Sequence, residues 1–431
     1  MNLLGDPTKR RWLGWGALAT VFLLVNVHRL STAVLSEQLT VGFGITAAQL
    51  GTLHASFFIV YALVQIPAGI LADRYGPRYI GAAGASVLSL GAIAFVLSGS
   101  YAAATLSRAV IGLGSGVIFV TVLRFCANWF RVDEFATMTG LTAGMAGVGA
   151  ILATTPLALA VGAVGWRTTV LGIGLIGFVA AGLVVAFSRQ SPEWAGLDPI
   201  ENVPKQGSVT LPETGGYLRE LAWDPDQWLL SLAFFSTMGT ILTVIGLWGV
   251  PYLVAVYGLD VTTASYYTLL GSVGMLVGGP GVGWISDRIG SRFLPLTVGT
   301  GLFTAVLVVV PVFGSPPLFV VAGLYFVVGS CVGVTMLTLA IIKERYPSGA
   351  SGVATAVVNG AGFFGATVLP TLMGLAVDRY RTGEVVAGAA VYTEFGYRVA
   401  FGITAVAVGI AFCSVLTLTV REWRRSEPTG G

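Results

Sequence analysis

Apolar residues run along this chain in long blocks separated by short polar joints. A helix rises 1.5 Å per residue, so about 20 apolar residues cross the ~30 Å hydrocarbon layer of a bilayer. On that scale the pattern predicts twelve spanning helices, over 12–36, 46–72, 79–98, 102–129, 135–162, 167–188, 227–256, 263–286, 293–313, 317–342, 350–377 and 397–420. One longer polar stretch, 189–226, interrupts the series. It holds Ser191-Pro192-Glu193-Trp194, Pro204-Lys205-Gln206-Gly207 and Pro212-Glu213-Thr214-Gly215, a linker composition. The expected plan is an N-terminal six-helix half over 1–188, a linker over 189–226, a C-terminal six-helix half over 227–421 and a tail over 422–431. The fold class is an all-α membrane protein with two pseudo-symmetric halves.

The stretch Gly69-Ile70-Leu71-Ala72-Asp73-Arg74-Tyr75-Gly76-Pro77-Arg78 returns, altered, as Gly283-Trp284-Ile285-Ser286-Asp287-Arg288-Ile289-Gly290-Ser291-Arg292. Each copy follows the second predicted helix of its half, the mark of a duplicated membrane protein. A tight bend between helices needs Gly for backbone freedom. A carboxylate there can sit near helix N-termini or pair with arginines. The first copy resembles the loop signature of the major facilitator superfamily, and the likeness extends over nearly the whole chain. The resemblance implies a secondary transporter whose loop stabilises an outward-facing state. Asp73 with Arg78, and the start of helix 11 near Ser351, would be its parts, with Arg74 beside them and Asp287, Arg288 and Arg292 as the second set. The plainer reading is a topology determinant, with arginine keeping the loop inside.

Composition agrees with lipid as the solvent. Of 431 residues 55% are hydrophobic and 10% charged, with mean hydropathy +0.84, against about 25% charged in soluble domains. The 59 glycines suit close helix packing. A net charge of +3 is too small to imply nucleic acid. Cys126, Cys331 and Cys413 lie in apolar runs without metal-ligand spacing, and read as packing residues rather than disulfides. Lys9-Arg10-Arg11 precedes the first apolar run. That run is too long for a signal peptide and reads as a first span, with a twin-arginine signal as the lesser alternative. Of the 23 Lys and Arg, Arg167, Arg379, Arg381 and Arg398 fall on one side, and Arg29, Arg108 and Arg124 within spans. All others lie with the termini, the linker and both loops. The positive-inside rule therefore places both termini in the cytoplasm of a multi-pass cell-membrane protein.

Arg29 lies deep in the first span, in Asn26-Val27-His28-Arg29-Leu30-Ser31-Thr32. A charge at the bilayer centre costs about 3 kcal/mol on insertion scales, so such a group faces a water-filled cavity or a partner. Glu37 stands about 12 Å further along the axis. A guanidinium binds carboxylate or phosphate by two parallel bonds, which favours an anionic substrate. Pairing with helix-end carbonyls or with an acid from another helix is the alternative. Arg124, in Leu123-Arg124-Phe125-Cys126-Ala127-Asn128-Trp129-Phe130-Arg131, resembles the organic anion transporters of the anion:cation symporter group, as does Arg29. The resemblance implies that these arginines engage the anion or stabilise its gate. The chain departs from that group at Arg131, where Pro is usual, and at His28, where some members carry an acid. The alternative for Arg124 is snorkelling to the interface. Arg108, before Gly112, Gly114 and Gly116, resembles the superfamily's helix 4 signature, sometimes linked to coupling; a structural arginine is the other reading. These glycines lack the preceding strand of a phosphate loop.

Gly140, Gly144, Gly147 and Gly149, before Pro156, suit a closely packed or bending helix 5. The stretch resembles exporters and nitrate carriers of the superfamily. Nitrate carriers add arginines in helices 2 and 8, absent here, which sets nitrate aside. Tyr61, Gln65, Trp248, Tyr252 and Asn359, with His28, are candidates to line the substrate path beside Arg29 and Arg124; His54 and Thr335 are further polar residues. Packing or interhelical bonding remains the alternative for each. Sugar-phosphate exchangers of the superfamily use one arginine from each half, and helix 7 has none to match Arg29, so a carboxylate is favoured over a phosphate dianion. For proton coupling His28 is the intramembrane candidate, with Glu134 and Glu344 in loops; symport, exchange and uniport all stay open. Only two histidines occur, and no His-Glu metal pair, Ser-His-Asp set or nucleotide loop points to an enzyme. The expectation is a monomeric secondary transporter of a small organic anion, a carboxylate or sugar acid, working by alternating access with no cofactor. An exporter of amphipathic or neutral compounds is the alternative.

Overall fold

The computed structural model describes residues 6–198, 200, 216, 219–346, 348–386 and 389–426. At 66, 132, 136, 348–350, 385, 386, 389, 425 and 426 only the backbone is described. Residues 199, 201–215, 217 and 218 of the predicted linker and 427–431 of the predicted tail lie outside the described residues.

Among the described residues, 12 helices are long and apolar enough to cross a membrane. The first starts earlier than its apolar run, at Pro7, because Asp6 accepts the Thr8 N–H at 2.9 Å and Pro7 fits the first turn. It runs to Leu30, is interrupted at Ser31, and continues as Thr32–Phe43. The fourth is interrupted at Val117, between Tyr101–Gly116 and Ile118–Trp129. The fifth breaks between Val132–Leu152 and Thr155–Val164, where Pro156 has no N–H to give. The seventh, Pro225–Tyr257, contains a π-helical turn over Val244–Trp248. The eighth is Val261–Ile289, the tenth Leu318–Arg345 and the eleventh Ser348–Arg379. A short antiparallel hairpin, β1 (Arg381–Val386) and β2 (Ala389–Tyr392), joins the eleventh helix to the twelfth, Glu394–Ser426.

The duplicated loops turn by different means. Helices two and three form one run, Ala47–Leu97, broken at Gly76 with φ 79 and ψ 161. Gly290, the counterpart, caps its helix at φ 68 and ψ 23. Both φ values are positive, where a side chain is strained. The ψ values diverge because Pro77 follows Gly76 and forces extended backbone before it, while Ser291 makes no such demand.

The chain divides into two compact units: Met1–Leu35 with Ser56–Ser208, and Ser36–Ala55 with Val209–Gly431. The hairpin at 36–55 thus packs with the second unit. In the first unit the fourth helix lies backbone to backbone on its neighbours. A methyl group on Gly112 would strike the Phe57 carbonyl, and one on Gly114 the Leu88 amide. The fifth helix shows less of this: Gly149 abuts the Leu23 carbonyl, but Gly140 and Gly144 have nothing beside them. In the second unit the eighth and tenth helices share a glycine seam. A methyl on Gly329 would meet the Gly271 carbonyl, and one on Gly333 the Gly278 carbonyl.

Candidate functional site

The interruption of the first helix at Ser31 lies two residues from Arg29. Arg29 is buried and donates from Nη1 to Asn26 Oδ1 at 3.2 Å. Its guanidinium carbon stands 4.8 Å from the centre of the Tyr61 ring, within cation–π range. Both contacts are with neutral groups and orient the cation. Asn26 is in turn fixed by donating to the Phe22 carbonyl at 2.8 Å. Tyr61 stacks on Phe57, centroids 5.8 Å apart.

Arg108 holds the same place from the fourth helix. It donates to the His28 carbonyl and to Thr32 Oγ1, each at 2.9 Å, and lies 5.4 Å from the Phe57 ring centre. Its two bonds bracket Ser31, whose hydroxyl also donates to the His28 carbonyl at 3.1 Å. A helix carbonyl that receives donors from outside its own ladder is how such a turn loosens without glycine or proline. Arg108 therefore ties the fourth helix to the first beside Arg29. His28 is buried; its ring Nε2 makes no hydrogen bond among the described residues.

Other sequence candidates separate. In the first unit, Gln65 donates to the Gly116 carbonyl at 3.4 Å, at the interruption of the fourth helix. In the second unit, Trp248 closes the π turn and donates to the Pro370 carbonyl at 3.0 Å. Tyr252 donates to the Gly314 carbonyl at 2.6 Å. Both side chains are fully buried. Thr335 is spent on the Cys331 carbonyl at 3.0 Å, and His54 is fully buried. Asn359 is half-buried with no intramolecular side-chain bond among the described residues, which leaves its amide available.

The loop residues pair differently from expectation. Asp73 meets Arg124, not Arg78, with Oδ1 3.0 Å from Nε. Arg78 instead donates from Nε to the Val185 carbonyl at 3.0 Å. Arg124 thereby joins the loop to the fourth helix. In the second loop Arg292 pairs with Asp287 and, at 3.2 Å, with Glu344 on the tenth helix; hydrogen bonding to Asp287 chiefly holds the Arg292 guanidinium above its usual pKa. Each loop is thus tied to the fourth helix of its own half. Arg74 and Arg288 lie over Tyr75 and Trp284, at 5.4 and 5.2 Å. Glu134 forms a two-bond pair with Arg11, at 2.8 and 3.1 Å, and caps its own helix through the Arg131 N–H.

Two polar groups carry more than their sequence signal suggested. Asn26 orients Arg29 from one helical turn away. Asp378, at the end of the eleventh helix, accepts the N–H groups of Ala47 and Ala48 at 3.1 and 2.8 Å and pairs with Arg381 at 2.9 Å. It caps the second helix from outside, through residues more than 300 positions away, which no local pattern announces. Gly51 and Gly374 admit this approach: a methyl on either would strike the Pro370 or Ala47 carbonyl.

A bundle built to sit in lipid keeps a guanidinium inside itself only at some cost, and here the surrounding turn is shaped around one. With a loop architecture used twice, this is the construction of a solute carrier of the membrane. The chain belongs to the Major Facilitator Superfamily, whose family pattern it matches over residues 16–370. It is 26% identical over 301 residues to a Cupriavidus necator protein described as a probable sulfoacetate transporter, covering 68% of this chain and 69% of that one. It is 25% identical to the hexuronate transporter of Bacillus subtilis, covering 78% and 81%. Its fold matches a bacterial homologue of the human lysosomal transporter Spinster, in an inward-facing, unoccupied conformation, with TM-score 0.76, 17% identity and coverage of 95% and 97%. The chain is a multi-pass membrane protein of a transporter family.

Proposed function

We propose that this protein carries a small organic anion, a carboxylate or sugar acid, across the cell membrane by alternating access, with Arg29 binding the anionic group. The observation that carries this reading is the Arg29 guanidinium, oriented within a span by two neutral groups, Asn26 and Tyr61. A fixed guanidinium offers a carboxylate two parallel charge-assisted bonds. The solutes named for the two relatives, sulfoacetate and hexuronate, each bear a carboxylate. The excess of Lys and Arg beside the termini supports a cytoplasmic placement of that side. Should protons couple to transport, His28 is the adjacent intramembrane group.

Thermal-shift screening of the purified protein tests the substrate class, using mono- and dicarboxylates, sugar acids, sulfonates, phosphate esters and nitrate. Stabilisation by a carboxylate class is expected. Silence toward every anion, with stabilisation by apolar cations or neutral solutes, would replace this reading by that of an exporter.

The ion pairs of the two loops are proposed as parts of the gate, which gives Arg124 a gating role. Asp73→Asn removes the charge that holds Arg124. Exposed and half-exposed pairs contribute up to about 1 kcal/mol. Turnover is therefore expected to change by about two- to fivefold, with substrate affinity nearly unchanged. A collapse of affinity at normal turnover, read by paired uptake and binding assays, excludes the gate role.

A further inference from the structure

Three arginines gather where the sixth helix, Trp166–Phe187, ends. Arg189 donates from Nη1 to the carbonyls of Val185, Ala186 and Ser188, at 2.9, 3.3 and 2.8 Å. Arg78 donates to the same Val185 carbonyl at 3.0 Å, so two guanidinium groups converge on one oxygen. Arg10, from the first helix, is buried close by. The Arg189 pKa lies below its ordinary value, through burial first and then through the charges of Arg78 and Arg10. The helix end supplies about half a negative charge, shared by the two guanidinium groups, Arg78 and Arg189, that cap it.

Among the described residues neither Arg78 nor Arg189 forms an ion pair with a carboxylate. Among the described residues, both terminal nitrogens of Arg78, and Nε and Nη2 of Arg189, make no hydrogen bond. Helix-end capping therefore uses only part of the donor set. The adjoining surface is apolar: Val179, Leu183 and Val185 of the sixth helix and Tyr79 beside Arg78 are all exposed. The cluster thus stands at the edge of the lipid-facing surface, where a charged headgroup and its acyl chains lie side by side.

We infer that Arg78 and Arg189, backed by Arg10, form a site for the phosphate headgroup of an anionic phospholipid. The phosphate takes the unused guanidinium donors, and an acyl chain lies along the exposed face of the sixth helix. The lipid supplies Arg78 and Arg189 with a negative charge that no carboxylate among the described residues provides.

Native mass spectrometry of the full chain, with phosphatidylglycerol or phosphatidylcholine added, tests this. Phosphatidylglycerol should be retained preferentially, and the preference should fade with rising ionic strength. Arg189→Gln should weaken phosphatidylglycerol retention about fivefold, the effect of about one charge, and leave phosphatidylcholine unchanged. Arg189→Lys should keep most of it. Millimolar inorganic phosphate should not displace the lipid. Equal retention of the two lipids, a salt-independent preference, or no effect of Arg189→Gln overturns the site. Displacement by inorganic phosphate alone overturns the lipid as its occupant. The wild-type lipid comparison and salt series decide the matter even if the glutamine variant fails to fold.

Discussion

Gly329→Ala is expected to cost more than about 3 kcal/mol of stability, the upper end of ordinary overpacking. The added methyl runs into the backbone carbonyl of Gly271 on the eighth helix. A flexible side chain could swing aside, but a carbonyl in a helix cannot move without its helix. The two helices must part along the seam, and Gly274, Gly278 and Gly333 lose their close contacts with it. Gly323→Ala, on the same helix, provides the control. A methyl there meets nothing within 4 Å, so the helix gains about 0.5–1 kcal/mol from reduced backbone freedom. Thermal unfolding of the two purified variants, followed by size-exclusion recovery, should move in opposite directions. Equal midpoints would contradict the seam.

Arg29→Ala is expected to abolish uptake while the protein remains in the membrane at normal or higher level. Hydrogen bonds to a charged group contribute about 1.5–3 kcal/mol, so anion binding should weaken by about 10- to 150-fold. Insertion should not suffer, because a mid-span charge costs about 3 kcal/mol and alanine removes that cost. The combination matters, since a merely structural arginine would be lost together with the folded protein. Arg29→Lys keeps the charge but not the planar fork, and should bind with intermediate affinity. Normal uptake by the alanine variant would falsify the proposed role.

The broad architecture was legible because lipid imposes one rule on every span: about 20 apolar residues in a row. The predicted span at 167–188 and the observed Trp166–Phe187 nearly coincide. Boundaries missed where polar residues extend a helix, as Asp6 and Pro7 do for the first. The repeated Gly76 and Gly290 marked both turns, yet only Pro77 explains why their backbones differ. Interruptions were visible where chemistry forces them, as Pro156 does in the fifth helix. That over Val244–Trp248 contains Gly246 and precedes Pro251, which has no N–H for the Leu247 carbonyl; that at Ser31 has no such residue and depends on a tertiary partner, Arg108. The pairing of Arg381–Val386 with Ala389–Tyr392 was hidden because β pairing needs a partner strand, not a run length. Within the candidate site, the cost of a buried charge singled out Arg29. The orientation by Asn26, and the turn of Asp73 toward Arg124, rest on side-chain directions that sequence spacing does not supply.

The seam between the eighth and tenth helices also offers a ruler. Helices locked by interdigitated glycines and carbonyls cannot slide without passing through van der Waals overlap. Spectroscopic labels placed on the outer faces of these two helices should therefore keep one separation through the whole transport cycle. That fixed distance gives an internal calibration against which changes between other label pairs can be judged as motion rather than as label disorder.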